Sequence, residues 1–136
     1  MSKKKIKIGR AFIDAVPITL YLDVNPEGSG SSFHMQLGLS EPPSEAVVLF
    51  DPVWQRTLSY FFHELTEISM SLHGLRFRRV DTWAESDQDF IFHFDHREFS
   101  EVMREVANAC NLLLGPLQVA WTAHSKQLAK EKKRSR

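Results

Sequence analysis

The N-terminal third of the chain alternates apolar and polar residues in two stretches. Apolar side chains occupy every second position over 18–22 and again over 33–39, which is the period of a half-buried β-strand. Residues 25–30 are rich in Asn, Pro, Gly and Ser and predict a turn between the stretches, and Pro42-Pro43 ends the second one. The pattern therefore predicts two early strands.

A helical period replaces this alternation from about residue 51. Asp51 and Pro52 form a helix-start signal, because an aspartate caps exposed backbone N–H groups and a proline in the first turn loses no hydrogen bond. Gly74 favours the left-handed conformation that closes many helices. A helix is therefore predicted from Asp51 to about Leu72, with an apolar stripe formed by Trp54, Leu58, Phe61, Leu65, Ile68 and Leu72.

A third strand and a second helix are predicted in the C-terminal half. Phenylalanines alternate over 90–94, and the Asp-His-Arg-Glu of 95–98 has the form of a capped helix start. Helical spacing continues to Gly115-Pro116, after which the chain to about residue 128 forms another helix or a kinked continuation. The predicted fold is α+β, with a small sheet packed against the first helix and further C-terminal helices closing the other side of the core.

The composition is that of one globular domain. The chain has 136 residues, of which 43% are hydrophobic and 25% charged, and this excludes wholesale disorder and a disulfide scaffold. Its apolar runs are too short to cross a bilayer. Asp14 and Pro17 break the stretch that would follow the basic residues of a secretory leader, so a cytoplasmic protein without membrane partners is expected.

Charge is segregated along the chain although the net charge is zero. Residues 1–10 and 126–136 each carry a net +5, and the segment between them carries −10, from six arginines against sixteen acids. Short basic runs of this kind are typical of solvated tails. We therefore expect a single domain over 11–125 between two basic tails, which offer weak grounds for contact with nucleic acid.

The segment 61–67 (FFHELTE) contains a His-Glu-x-x-Glu pattern in the middle of the predicted first helix. At about 100° per residue, His63 and Glu67 project together from the side opposite the apolar stripe, with Glu64 beside them. An imidazole nitrogen and a carboxylate oxygen one turn apart can bind the same ion. Zinc suits these donors, and a nearby carboxylate such as Glu64 can act as general base toward a zinc-activated water.

This motif resembles that of the zincin-like metallopeptidases, particularly small HExxH-type proteins encoded by bacteriophages. The resemblance covers about residues 33–114 as an order of elements, in which a strand precedes the metal helix and a histidine follows near a later helix. Glu67 stands where the usual motif has its second histidine. The resemblance implies a zinc site with His63 and Glu67 as ligands and Glu64 as general base.

The third ligand is open among three residues. His96 is favoured, because a helix start beside a loop can turn toward the first helix, and it completes a two-His, one-Glu set known from catalytic zinc sites. His93 in the phenylalanine-rich strand is an alternative, and Glu98 is a fallback ligand or an outer partner. The predicted site therefore comprises the catalytic base Glu64 and, as ligands of Zn²⁺ or another divalent metal, His63, Glu67 and His96.

These features predict a zincin-like metal-dependent hydrolase, in particular a peptidase that uses a metal-activated water. The strand over 33–39 would align an extended peptide or protein substrate by edge pairing. Two other classes stay open. One is a catalytically inert metal-binding or interaction protein on the same architecture, and the other is a protein that contacts nucleic acid through its basic tails.

Overall fold

The computed structural model describes residues 4–25, 32–34, 45–78, 90–92 and 94–135, and it confirms the predicted α+β fold class. Neither helix in this part of the chain combines the length and the apolar character that crossing a membrane requires. The elements, in chain order, are β1 (Lys5–Ile13), β2 (Val16–Asp23), β3 (Ser32–His34), β4 (Glu45–Leu49), α1 (Trp54–Leu72), β5 (Arg76–Arg78), β6 (Phe90–Phe92) and α2 (His96–Arg134).

Four strands form the main sheet, in the order β1-β2-β4-β3. β1 and β2 are antiparallel neighbours, β2 and β4 run parallel, and β3 pairs antiparallel with β4. A two-residue turn joins β1 to β2. Its residues Asp14 and Ala15 are both left-handed, at φ 47° and 60°, as the tight turn of a twisted hairpin requires. β5 and β6 form a separate antiparallel pair.

Both helices pack on the main sheet and enclose the core. α1 lies against β4, α2 lies against β1, and the two helices contact each other. In the interior strand β2, Ile18, Leu20 and Leu22 are fully buried, so the strand predicted over 18–22 is confirmed. The helix residues buried with them are Phe61, Leu65 and Ile68 on α1 and Val102, Val106, Ala109, Leu113 and Leu117 on α2.

The first helix ends where it is predicted to end but begins three residues later than Asp51. Asp51 makes its hydrogen bonds in the segment that leads into the helix and does not occupy the first turn. Its carboxylate accepts a hydrogen bond from the Val53 N–H (2.8 Å), and its own N–H donates to Thr57 Oγ1 (2.8 Å). Gly74, at φ 69°, follows the helix end as expected.

The segments predicted as basic tails lie largely in regular elements. Residues 5–10 form the first part of β1, where exposed lysines alternate with half-buried isoleucines, a pattern typical of an edge strand. Residues 126–134 are exposed and belong to the last turns of α2. Regular structure therefore extends beyond 11–125 at both ends.

Two of the predicted strands are only partly described, and neither β1 nor β4 is predicted. β3 covers Ser32–His34, and residues 35–39 of the predicted strand lie outside the described residues. β6 covers the first three residues of the strand predicted over 90–94. The alternation does not predict β4, because its buried residues 46–48 are consecutive, as is common where a strand is covered on both faces.

α2 begins with the predicted capping box and continues past the predicted break. The Asp95 carboxylate accepts a hydrogen bond from the Glu98 N–H (2.8 Å), and the Glu98 carboxylate accepts one from the Asp95 N–H (2.7 Å). Helical structure then runs through Gly115 and Pro116 to Arg134 as one element. Of the two predicted outcomes, the chain adopts the continuation.

Aromatic side chains join the end of β4 to the C-terminal half of α2. His124 packs edge-on against Phe50, with 4.6 Å between the ring centroids. Trp121 Nε1 donates a hydrogen bond to the Asp51 carbonyl (2.8 Å). Burial, and after it the positive charge of Lys4, lower the pKa of His124 because both disfavour the charged imidazole.

We expect His124 to make the stability of the fold depend on pH. His124 binds a proton less readily in the folded protein than in the unfolded chain. The fold therefore has its full stability above the ordinary histidine pKa of about 6.5, where His124 is neutral in both states, and loses stability as the pH falls below it. Between about pH 7.5 and 5.5, the free energy of unfolding should fall less in His124→Gln than in the wild type. Urea denaturation at both pH values measures this, and identical falls in the two proteins would contradict it.

Candidate functional site

His63 and Glu67 lie side by side on the outer face of α1. They are one helical turn apart, and His63 Nε2 is 3.6 Å from Glu67 Oε1. The His63 side chain is 62% exposed and the Glu67 side chain 18%, so the imidazole is open to solvent while the carboxylate is partly covered. The structure thus brings together the two side chains on which the predicted metal site depends.

An open, shallow groove of about 360 Å³ borders this pair on the surface of α1, and all the described residues that line it belong to that helix. Its lining combines two hydroxyl groups and two apolar side chains with the imidazole and the carboxylate. A ligand in the groove would therefore contact polar and apolar groups together, while one side of it stays open to solvent. The lining residues are Ser59, Phe62, His63, Thr66, Glu67 and Met70.

The spacing of His63 and Glu67 suits a single cation. Two ligand atoms that are each about 2.1 Å from a tetrahedral zinc lie about 3.4 Å apart, and the two side-chain atoms here are 3.6 Å apart. The difference is small enough for side-chain rotation to absorb. His63 and Glu67 can therefore occupy one edge of a coordination tetrahedron.

Glu64, the predicted general base, lies on the packed side of the same helix. It is 3% exposed and does not line the groove. At about 100° per residue, it is rotated toward the fully buried Thr57 and Phe61. A base must come within about 3 Å of the proton donor it serves, so Glu64 reaches the groove only if its side chain turns away from the packed face.

The predicted third ligand does not join the pair. His96 is exposed in the first turn of α2, and the Glu98 carboxylate is engaged in the capping box. No third His, Cys, Asp or Glu of the described segments places a ligand atom within 4.8 Å of both His63 and Glu67. His93 lies outside those segments. The described residues therefore supply two of the three expected ligands.

Asp14, His73 and Glu105 form a second cluster, which no sequence motif indicates. One ligand atom from each residue lies within 4.8 Å of the other two, and His73 Nε2 is 3.0 Å from Glu105 Oε2. The three residues come from the β1–β2 turn, the end of α1 and α2. The three residues are far apart in sequence, so no spacing rule predicts the cluster. The only local signal is that His73 directly precedes Gly74, which closes the helix and fixes the backbone there.

No protein-family model, curated protein or solved structure matches this chain. The two clusters of side chains, and the chemistry that their donor atoms allow, are therefore the features that bear on its function.

Proposed function

We propose that this protein is a metal-dependent hydrolase that binds a divalent cation through His63 and Glu67 and acts on peptides. The observation that carries the proposal is the 3.6 Å separation of His63 Nε2 and Glu67 Oε1 beside an open groove. An imidazole and a carboxylate at this distance form a chelating pair for zinc or a similar ion. The zincin-like pattern of His63, Glu64 and Glu67 supports the same function.

Each residue of the motif has a distinct role in the proposal. His63 and Glu67 hold the cation, and His93, which lies outside the described residues, is the remaining candidate for the third ligand. Zinc in such a site supplies a Lewis acid and an activated water. Glu64 is the proposed general base, which holds the proton taken from that water at its carboxylate. The hydroxyl and apolar groups of the groove would contact the substrate backbone and side chains.

Metal analysis of the untagged protein tests the first requirement. We expect His63→Ala to lose one equivalent of bound divalent ion and to weaken binding at this site by at least about 100-fold, since even the loss of an outer partner of a ligand costs 10–100-fold. Gln55→Ala, at an exposed position of the same helix, is the matched control and should bind metal as the wild type does. Equal metal content and affinity in the wild type and His63→Ala would contradict the proposal.

A catalytically inert metal-binding protein is the second candidate, and the burial of Glu64 favours it. The same samples distinguish the two functions when they are incubated with a peptide library. The hydrolase proposal requires cleavage by the metal-loaded wild type and none by Glu64→Gln, which should still bind the ion. Metal binding through His63 without cleavage would favour the inert protein, because ligation and a water base are separate requirements.

A further inference from the structure

We propose that Asp14, His73 and Glu105 form a second divalent-cation site, which links the β1–β2 turn to both helices. Ligand atoms of the three residues lie within 4.8 Å of one another. One imidazole and two carboxylates are donors that zinc and similar first-row cations accept. This site shares no residue with the His63–Glu67 pair and does not depend on the proposed hydrolase function.

The contact between His73 and Glu105 is the strongest observation in favour of this second cation site. His73 Nε2 is 3.0 Å from Glu105 Oε2, yet this buried nitrogen has no hydrogen-bond partner among the residues that the structure describes. A cation bound by both atoms would give this nitrogen a partner, and two ligands of a tetrahedral zinc are about 3.4 Å apart.

Neighbouring groups hold the ligands in place. The buried Ser69 hydroxyl donates a hydrogen bond to Glu105 Oε2, and outer partners of this kind orient ligating carboxylates. The turn at Gly74 fixes the backbone of His73, whose N–H donates to the Ser69 carbonyl (3.1 Å). Asp14 is exposed at the left-handed first position of the hairpin turn, so its side chain has room to adjust to an ion.

The donor set narrows the class of cation. Two carboxylates bring negative charge that a divalent ion offsets, and an imidazole favours zinc or cobalt over calcium, which takes six to eight oxygen ligands. Three protein ligands leave one tetrahedral position for water. Because the ligands belong to the hairpin turn and both helices, binding cross-links these elements and stabilises the folded chain over the unfolded one.

The test uses the full-length protein after chelator treatment, titrated with zinc sulfate or cobalt chloride. We expect zinc to raise the Tm by about 5–10 °C at a hundredfold excess over Kd, and cobalt to develop visible absorption as it is ligated. In a His63→Ala background, where the first site cannot contribute, Asp14→Asn and Glu105→Gln should each remove most of both changes, whereas Glu101→Gln, one turn earlier on α2, should retain them. Asparagine tolerates the left-handed conformation, so Asp14→Asn keeps the turn and removes only the ligand.

His63→Ala separates this site from the proposed catalytic one and should keep the response of the second cation site. If zinc binds but neither Asp14→Asn nor Glu105→Gln changes the binding, the second cation site is overturned while the proposed function stands. If Asp14→Asn and Glu105→Gln lose the zinc response while His63→Ala has the metal content and zinc affinity of the wild type, the second cation site stands and the proposed function fails. No zinc-induced shift in the wild type would show that His73 and Glu105 form an ion pair only, and would also overturn the inference.

Discussion

Phe61→Ala is expected to lower the free energy of unfolding by about 3–5 kcal/mol. The ring of Phe61 is fully buried, at 0% exposure, in the stripe of α1 that also contains Leu65 and Ile68. Truncation removes the apolar contacts of the ring and leaves a cavity that a close-packed core fills only in part. The free energy lost in Phe61→Ala therefore measures how tightly α1 packs against the sheet.

Phe62 provides the matched control, because it is the same residue type one position along the same helix. It is 41% exposed and lines the groove, so Phe62→Ala should cost less than about 1 kcal/mol. Equilibrium urea denaturation followed by far-UV circular dichroism measures both variants. If both variants lost the same free energy of unfolding, α1 would be rotated from the described orientation. His63 would then not face outward, and its position would no longer support metal binding.

Helix α1 and strand β2 are predictable because their signals are local. A period near 3.6 residues identifies the buried face of α1, and a period of two identifies that of β2. β1 and β4 carry weaker signals. In β1 the lysines of an exposed edge suggest a charged tail, although isoleucines alternate with them. In β4 three consecutive residues are buried, so the strand shows no alternation, as is common where side chains on both faces of a strand are covered.

The candidate site is predictable only as far as it lies on one helix. The four-residue spacing brings His63 and Glu67 within 3.6 Å of each other without any contribution from tertiary structure. The burial of Glu64 depends instead on how far the packed face extends around α1, and the period of the apolar stripe does not determine its width. The second cation site depends entirely on packing, because its ligands come from three elements that no spacing rule relates.

Leu117→Ala is expected to cost about 2–5 kcal/mol, even though the residue directly follows a glycine and a proline. Leu117 is fully buried and continues the series of buried residues on α2 that includes Leu113 one turn earlier. Pro116 removes one backbone hydrogen bond from the helix. The carbonyl that loses its partner is that of Leu112, which is 58% exposed, so water can reach it. The helix can therefore pass through this pair without leaving the core.

Val119→Ala is the control for this prediction, because Val119 is 71% exposed on the same part of α2. It should change the free energy of unfolding by less than about 0.5 kcal/mol, with any gain coming from the higher helix propensity of alanine. If Leu117→Ala costs no more than this control, the helix leaves the core at Gly115-Pro116 and the last part of α2 is a separate helix. A loss of the expected size would instead show that burial of the leucine side chain offsets much of the roughly 3 kcal/mol cost of an interior proline. Tertiary packing, rather than local propensity, would then determine where α2 ends.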